Sequence, residues 1–123
     1  MTDAVQKLEY LCSTRDGFLV LTFLGVLNEE NLLVLDRLLN EIPQFKARRC
    51  VLQLRDVIEL NRSVIPHLIR IQEKIREKMG TLRLCSMKPA MKQWLLQEGV
   101  VRPDEFVDNL WDAWQEFTLM KRP

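Results

Sequence analysis

The most regular pattern of apolar and polar positions lies in residues 49–85. Residues 49–54 form a short apolar run, which is typical of a strand covered on both faces. A turn is expected at Arg55 and Asp56, and the chain then reaches a polar corner at residues 61–63. This order predicts a buried strand that leads into the start of a helix.

The helix after this corner is predicted by apolar side chains that recur every three or four residues. The members of this stripe are Val64, Leu68, Ile71, Ile75 and Met79. Ser63 is placed to cap the first turn, Pro66 fits that turn, and Gly80 suits the helix end. Residues 81–85 then alternate like a strand. A strand, helix and strand of these lengths predict parallel strands, with the corner at their carboxyl edge, where such folds usually bind ligands.

The amino-terminal part predicts a hairpin followed by a helix. Residues 7–14 alternate loosely, the Asp-Gly pair at 16–17 marks a tight turn, and residues 18–24 form a second, central strand. After a corner, Asn28 caps a helix that ends before Pro43. The apolar stripe of that helix consists of Leu32, Leu35, Leu38 and Leu39.

The carboxyl-terminal part predicts two more helices around a short edge strand. Pro89 opens the third helix and Gly99 closes it. Residues 105–107 form the edge strand, and Asp108 or Asn109 caps the last helix. The whole order indicates an α/β fold, with a mixed sheet of four to five strands packed by about four helices. We expect residues 1–123 to form a single domain with its core at about 8–117.

The composition is that of an ordinary globular domain, with 47% hydrophobic and 28% charged residues. A formal net charge of +1 supplies no strong field, so nucleic acid is not an expected partner. The apolar stretch 18–27 is too short to span a bilayer, and residues 1–4 lack a signal-peptide pattern. We therefore expect a cytoplasmic protein without membrane insertion.

Residues that could carry chemistry are few. Cys12, Cys50 and Cys85 fall in predicted strands without metal-type spacing, and buried thiols are expected. The only histidine, His67, has no nucleophile or carboxylate beside it at a catalytic spacing, and either packing or a binding role near the corner would account for it. The sequence also lacks a phosphate-binding glycine loop. It therefore indicates neither an enzyme nor a cofactor or metal site.

Two surfaces leave alternatives open. On the central helix Arg70, Lys74 and Lys78 alternate with glutamates, either as a solvated face or as the rim of a site for an acidic partner. On the last helix the large rings either enter the core or form an exposed partner or homodimer patch. These rings are Trp111, Trp114 and Phe117.

The order of elements and two short motifs resemble the STAS family, the domain of bacterial anti-sigma factor antagonists. Residues 23–28, Phe-Leu-Gly-Val-Leu-Asn, are similar to the family's Leu-Thr-Gly-Glu-Leu-Asp at the end of the second strand. Residues 53–60 lead to Asn61-Arg62-Ser63-Val64 where the family has its switch motif Asp-Ser-Ser-Gly. The glycine, strand and proline of residues 80–91 also resemble the family's pattern.

The resemblance implies a switch whose residues have changed in this chain. In family members that switch, an anti-sigma kinase phosphorylates the first serine of the motif, and two aspartates lie beside it. The matching residues here are Arg62, Asn28 and Asn61. Ser63 is the hydroxyl that remains, and it is either a shifted phosphorylation site or a helix cap alone.

The function that the resemblance implies is a non-enzymatic regulatory module that binds an anti-sigma factor or a related serine-kinase-like regulator. The residues expected at its docking surface are Asn28, Asn61, Arg62, Ser63, His67 and Arg70. The alternative is a constitutive adaptor in a transporter ATPase or in a stress-signalling scaffold of STAS proteins. A third reading is a small ligand-binding protein or enzyme with a pocket at the carboxyl edge.

Overall fold

Strands and helices alternate along the chain around one sheet. The structure, a computed structural model of the chain, describes residues 7–120. The strands are β1 (Leu8–Arg15), β2 (Phe18–Leu27), β3 (Arg49–Leu60), β4 (Thr81–Cys85) and β5 (Phe106–Val107). The helices are α1 (Leu32–Glu41), α2 (Ile65–Met79), α3 (Pro89–Gln97) and α4 (Leu110–Met120). Single turns of 3-10 helix lie at Glu29–Asn31, Ile42–Gln44, Arg62–Val64 and Pro103–Glu105.

The sheet has the order β1-β2-β3-β4-β5. Strands β1 and β2 are antiparallel, and each later neighbouring pair is parallel. The turn between β1 and β2 consists of Asp16 and Gly17, which both have positive φ and so match the twist of a two-residue hairpin. The predicted fold class, a mixed and mostly parallel sheet with an amino-terminal hairpin and four helices, is confirmed.

Helices cover both faces of the sheet, but unequally. The larger core lies on the face of α1 and α2, where every residue of the predicted α2 stripe is buried. A smaller cluster on the other face brings the sheet residues Phe18, Val51 and Cys85 against Ala113 and Phe117 of α4. Since α4 packs alone against that cluster, part of this face stays open to solvent.

Two predicted strand ends were wrong. β2 continues to Leu27 instead of stopping at residue 24, and β3 continues to Leu60 without the predicted turn at Arg55 and Asp56. The two strands extend together, with register shifts between Thr22 and Leu24 and again after Gly25. The side chains on this extension are partly exposed, and its sequence includes charged residues such as Arg55 and Asp56. A sequence of this kind is also typical of a turn, and this explains the wrong prediction.

One expectation about buried side chains was wrong, and the structure separates the two alternatives left open for the rings of the last helix. Cys12 is exposed because β1 is the outermost strand, whereas Cys50 and Cys85 are buried as expected. Trp111 is 65% exposed on α4. The other two rings of that helix follow the core reading: Phe117 is buried, and the half-buried Trp114 packs edge-on against Phe18 with ring centroids 4.9 Å apart.

Two absences hold for residues 7–120, the part of the chain that the structure describes. No helix there is long and apolar enough to cross a membrane. No group of three or more histidine, cysteine, aspartate or glutamate side chains there could hold a metal ion. Residues 1–4, where the sequence has no signal-peptide pattern, lie outside the described residues.

Candidate functional site

The predicted corner lies where β2 and β3 end side by side. Leu27 and Leu60 are paired in the parallel register. The Asn61 amide then donates a hydrogen bond to the Leu27 carbonyl over 2.8 Å. This bond joins the loop after β3 to the loop after β2, so the two asparagines predicted for the site, Asn28 and Asn61, follow neighbouring strand ends.

Asn28 organises the loop after β2. Its side chain is 6% exposed, and Oδ1 accepts hydrogen bonds from the Glu30 amide and from Asn31 Nδ2, each at 3.0 Å. Asn31 Nδ2 also donates to the Val26 carbonyl over 2.8 Å. The predicted capping role of Asn28 is confirmed, although the turn that it caps is a 3-10 turn that leads into α1.

Asn61 takes the capping role that was predicted for Ser63. Its Oδ1 accepts from the Ser63 amide at 3.0 Å, at the start of the 3-10 turn that precedes α2. The Ser63 hydroxyl instead donates to Glu29 Oε1 over 3.1 Å. The prediction of a Ser63 cap was wrong because α2 is preceded by a 3-10 turn, which moves the capping position two residues upstream.

Arg62 reaches across the corner to α3. Its guanidinium donates to both carboxylate oxygens of Glu98, at 2.8 Å and 3.4 Å, and lies 5.7 Å from the centre of the Trp94 ring. A forked contact with a carboxylate and a stacked ring both suit arginine better than lysine. The side chain nevertheless remains 67% exposed. Arg62 is thus held in one place and also presented to solvent.

His67 and Arg70 continue the surface along α2. His67 Nε2 lies 2.9 Å from Asp36 Oδ1 on α1, so this polar contact joins the two helices. Arg70 is exposed on the next turn. The structure therefore brings Asn28, Asn61 and Ser63 into one bonded corner, places Arg62 over α3, and leaves Arg70 further along the helix.

Four residues of this corner were not predicted. They are Glu29, Asp36, Trp94 and Glu98. Trp94 and Glu98 are four residues apart on one helix face, which is a signal for a joint contact with a cation. The sequence carries no signal for which cation that is, because Arg62 lies 36 positions before Glu98.

The corner presents hydrogen-bonded and charged side chains to solvent. Arg62 is hydrogen-bonded to Glu98, and the Ser63 hydroxyl faces the Glu29 carboxylate rather than a histidine. The cavity beneath it has a volume of about 20 Å³, about the space of one water, and its lining is apolar except for Gln72. Because this cavity is far smaller than the pockets that hold small ligands, the corner suits a protein partner better than a small molecule.

Solved structures share this fold, whereas sequence comparisons found no match: neither a protein-family model nor a curated protein matches the chain. An anti-sigma factor antagonist from Mycobacterium paratuberculosis is 17% identical, with a TM-score of 0.77 over 94% of this chain and 97% of that one. A variant of Moorella thermoacetica RsbS is 19% identical, with a TM-score of 0.74 over 93% and 98% of the two chains. The Bacillus cell fate determinant SpoIIAA, in its phosphorylated form, is 12% identical, with a TM-score of 0.66 over 89% and 99%.

These likenesses define the fold. The chain has the α/β fold of STAS domains and anti-sigma factor antagonists, over nearly its whole length and nearly the whole length of each of those three proteins. The resemblance drawn from the short motifs is therefore confirmed at the level of fold. Sequence identities as low as these establish the fold, and the partner and any switch of this chain are proposed below.

Proposed function

We propose that this protein is a regulatory protein-interaction module that docks a partner through the corner at the carboxyl edge of its sheet. The partner class is an anti-sigma factor or a related serine-kinase-like regulator in the cytoplasm of a bacterium. The docking surface consists of Asn61, Arg62, Ser63, His67 and Arg70, and the buried Asn28 orders the neighbouring loop after β2. The module needs neither catalysis nor a cofactor for this role.

The observation that carries this proposal is the bonded state of Arg62. Its double contact with Glu98 and its position over Trp94 orient an exposed cation where the resembling family has its phosphorylated serine. A partner that meets this surface finds the side chain already ordered, so little rotamer entropy is lost on binding. The partner class is inferred by analogy with anti-sigma factor antagonists, which have the same fold.

The test compares what co-purifies with three tagged forms of the protein from its own cells. Arg62→Glu puts like charge beside Glu98 and reverses the exposed charge of the corner. Lys46→Glu makes the same change in net charge at an exposed position. Lys46 precedes β3, so it lies at the amino-terminal end of that strand, opposite to the corner. We expect quantitative mass spectrometry to find the regulator at wild-type level with Lys46→Glu and at least about tenfold depleted with Arg62→Glu.

Equal recovery of the regulator with all three baits would contradict docking at the corner. Equal depletion by both variants would indicate an effect of net charge rather than of this site. Thermal unfolding of each bait shows whether a loss of recovery follows from a loss of folding.

A constitutive adaptor is a second candidate, and the switch positions favour it. The residue in place of the phosphorylated serine is Arg62, which has no hydroxyl, and the two flanking aspartates are the amides Asn28 and Asn61. Such a module would keep the docking surface without the on/off chemistry. Recovery of a transporter ATPase or of a scaffold of STAS proteins, with bait of unmodified mass, is the result expected for this candidate.

Ser63 is the proposed phosphorylation position if a switch exists. Its hydroxyl now donates to Glu29, and a phosphate there would repel that carboxylate and separate the two loops of the corner. The intact mass of the recovered bait therefore distinguishes the two candidates. A phosphorylated fraction that Ser63→Ala abolishes is expected for the switching regulator and contradicts the constitutive adaptor.

A further inference from the structure

The outer edge of β1 is an unpaired strand edge in the part of the chain that the structure describes. β1 pairs with β2 without interruption from Leu8 to Arg15, and no described strand pairs with its other side. The strand has eight residues and contains neither a proline nor a bulge. Proteins usually protect long edges by such features, so an unprotected one is a ready site for pairing with another strand.

The hairpin turn determines which main-chain groups face outward. In a two-residue hairpin the residues that flank the turn, here Arg15 and Phe18, exchange main-chain hydrogen bonds, and every second pair repeats this pattern. The odd-numbered residues of β1 therefore bond to β2. The main-chain groups of the even-numbered residues, Leu8, Tyr10, Cys12 and Thr14, face outward.

We propose that two copies of this chain pair through antiparallel β1 strands, with the two-fold axis at Cys12. This register places Cys12 opposite Cys12 of the second copy and Tyr10 opposite Thr14. All of these residues expose their main-chain groups, so the strands form about six hydrogen bonds. The two sheets become one continuous sheet across the axis, and the closed pairing removes the open edge.

Charge complementarity favours this register over the one centred at Leu11. It places Glu9 opposite Arg15 of the second copy, twice per dimer, on the face of the sheet that carries α4. Neither residue is in an ion pair within residues 7–120. An axis at Leu11 would instead set Lys7 against Arg15, and like charges directly opposite each other destabilise a strand pair.

Apolar surface beside β1 supports the same pairing. Leu11 is 61% exposed, and in this register it lies opposite Ser13 of the second copy. Ser13 lines an open pocket of about 410 Å³ whose other walls include the exposed Trp111 and the half-buried Trp114. Leu11 from the second copy would therefore lie beside this pocket and be removed from water together with Trp111.

The first test is the mass of the full-length protein in solution, measured by light scattering during size-exclusion chromatography. We expect a mass near twice 14.6 kDa at tens of micromolar. Glu9→Lys and Arg15→Glu each set like charges opposite each other in both ion pairs, so each variant alone should dissociate at least about tenfold more readily. Mixed together, the two variants have opposite charges at both positions and should form a heterodimer. Circular dichroism serves as the control that each variant is folded.

The second test uses the position of Cys12 on the axis. Partial burial and the nearby Glu41 carboxylate raise the pKa of its thiol, so the oxidation is run at alkaline pH. Oxidised glutathione accepts two electrons and two protons from a pair of Cys12 thiols, so one disulfide forms between the copies and two molecules of reduced glutathione are released. Cα atoms of a hydrogen-bonded antiparallel pair lie about 5.5 Å apart, within the range of disulfides. The matched control is Cys12→Ser with Ser13→Cys, which moves the thiol off the axis.

We expect rapid formation of a covalent dimer for the wild type and at least about tenfold slower formation for the control, because residue 13 lies opposite residue 11. A monomer at a concentration of several hundred micromolar would overturn the proposal. A dimer that persists in both single-charge variants, or one that forms a disulfide equally well from residue 13, would overturn it as well.

Discussion

Single residues of this protein show how the position of a side chain, more than its type, determines its role. His67 and Ser63 could each be predicted as carriers of function, yet one joins α1 to α2 through Asp36 and the other bonds to Glu29. Tyr10, the only tyrosine of the chain, carries no local sequence signal for its role. Its hydroxyl donates to Glu41 over 2.6 Å, and the Arg37 guanidinium lies 5.9 Å from its ring.

The ionisation of Tyr10 gives a prediction at this scale. Its pKa is raised from 10.0 to about 12, first by desolvation and then by the hydrogen bond to Glu41. Loss of hydration disfavours the charged phenolate, and the neighbouring carboxylate disfavours it further. We expect the tyrosinate absorbance of the folded protein to rise with a midpoint near pH 12. Glu41→Gln should move that midpoint down towards 10.

The same shift affects stability in a defined pH window. Below pH 10 the hydroxyl is protonated in both states and its contribution is constant. Between pH 10 and about 12 the unfolded chain loses this proton first, so the free energy of unfolding falls as the pH rises. Tyr10→Phe should lack this part of the decline in chemical denaturation. An identical decline in both proteins would contradict the assignment.

At the scale of the element, β2 depends on one glycine. Gly25 has φ +114 and lies between the register shifts of the β2–β3 pair. A β-carbon built there would lie 2.0 Å from the Lys7 carbonyl oxygen, which accepts a hydrogen bond from the Val26 amide. The glycine in the motif of residues 23–28 therefore has a physical reason: only glycine lets the start of β1 approach the end of β2.

Two glycine variants separate backbone strain from steric overlap. Gly80 also has positive φ, but a β-carbon there would meet nothing within 4 Å. We expect Gly80→Ala to lower the free energy of unfolding by about 1 kcal/mol, from the left-handed conformation alone. Gly25→Ala should cost more than about 3 kcal/mol because it adds an overlap with main chain. Urea denaturation measures both. Equal losses would mean that the β1–β2 contact can move apart.

At the scale of the whole molecule, a buried ion pair fastens the segment after α3 to the central helix. Arg76 on α2 donates two hydrogen bonds to Glu105, at 3.0 Å and 2.6 Å, and a third to Gln72. Gln72 in turn donates to the Val100 carbonyl over 3.0 Å. The Arg76 pKa is raised first by its hydrogen bonds to Glu105, which outweigh the opposing effect of desolvation.

Removing this carboxylate should destabilise the fold far more than removing an exposed one. Glu105 is buried, so Glu105→Gln leaves the partly buried Arg76 cation without its hydrogen-bonded counter-charge. A loss of about 3 kcal/mol in the free energy of unfolding is expected. The matched variant, Glu116→Gln, breaks the pair with Arg83 at a more exposed carboxylate and should cost less than about 1 kcal/mol. Chemical denaturation of both variants measures the two losses in the free energy of unfolding. Similar losses would mean that burial does not strengthen the α2 pair.

The sequence by itself determined the elements whose side chains meet water on one side and the core on the other. The α2 stripe, the Asp-Gly hairpin and the Asn28 cap all follow from local spacing and local backbone chemistry. The edge strand, predicted at residues 105–107, is found at Phe106–Val107. The motif at residues 23–28 could indicate the fold from the sequence because its key residues are also set by nearby contacts. Its glycine and asparagine are required by contacts a few residues away and by the β1–β2 hairpin.

Only the tertiary structure decided which distant residues meet and which remain exposed. The extension of β3 to Leu60 depends on β2 running alongside it, and the exposure of Trp111 depends on α4 packing alone against the smaller core cluster. The contact of Arg62 with Glu98 spans 36 positions and arises because the loop after β3 and the end of α3 meet at one edge of the sheet. Such contacts depend on the relative placement of packed elements, and local sequence patterns carry no record of that placement.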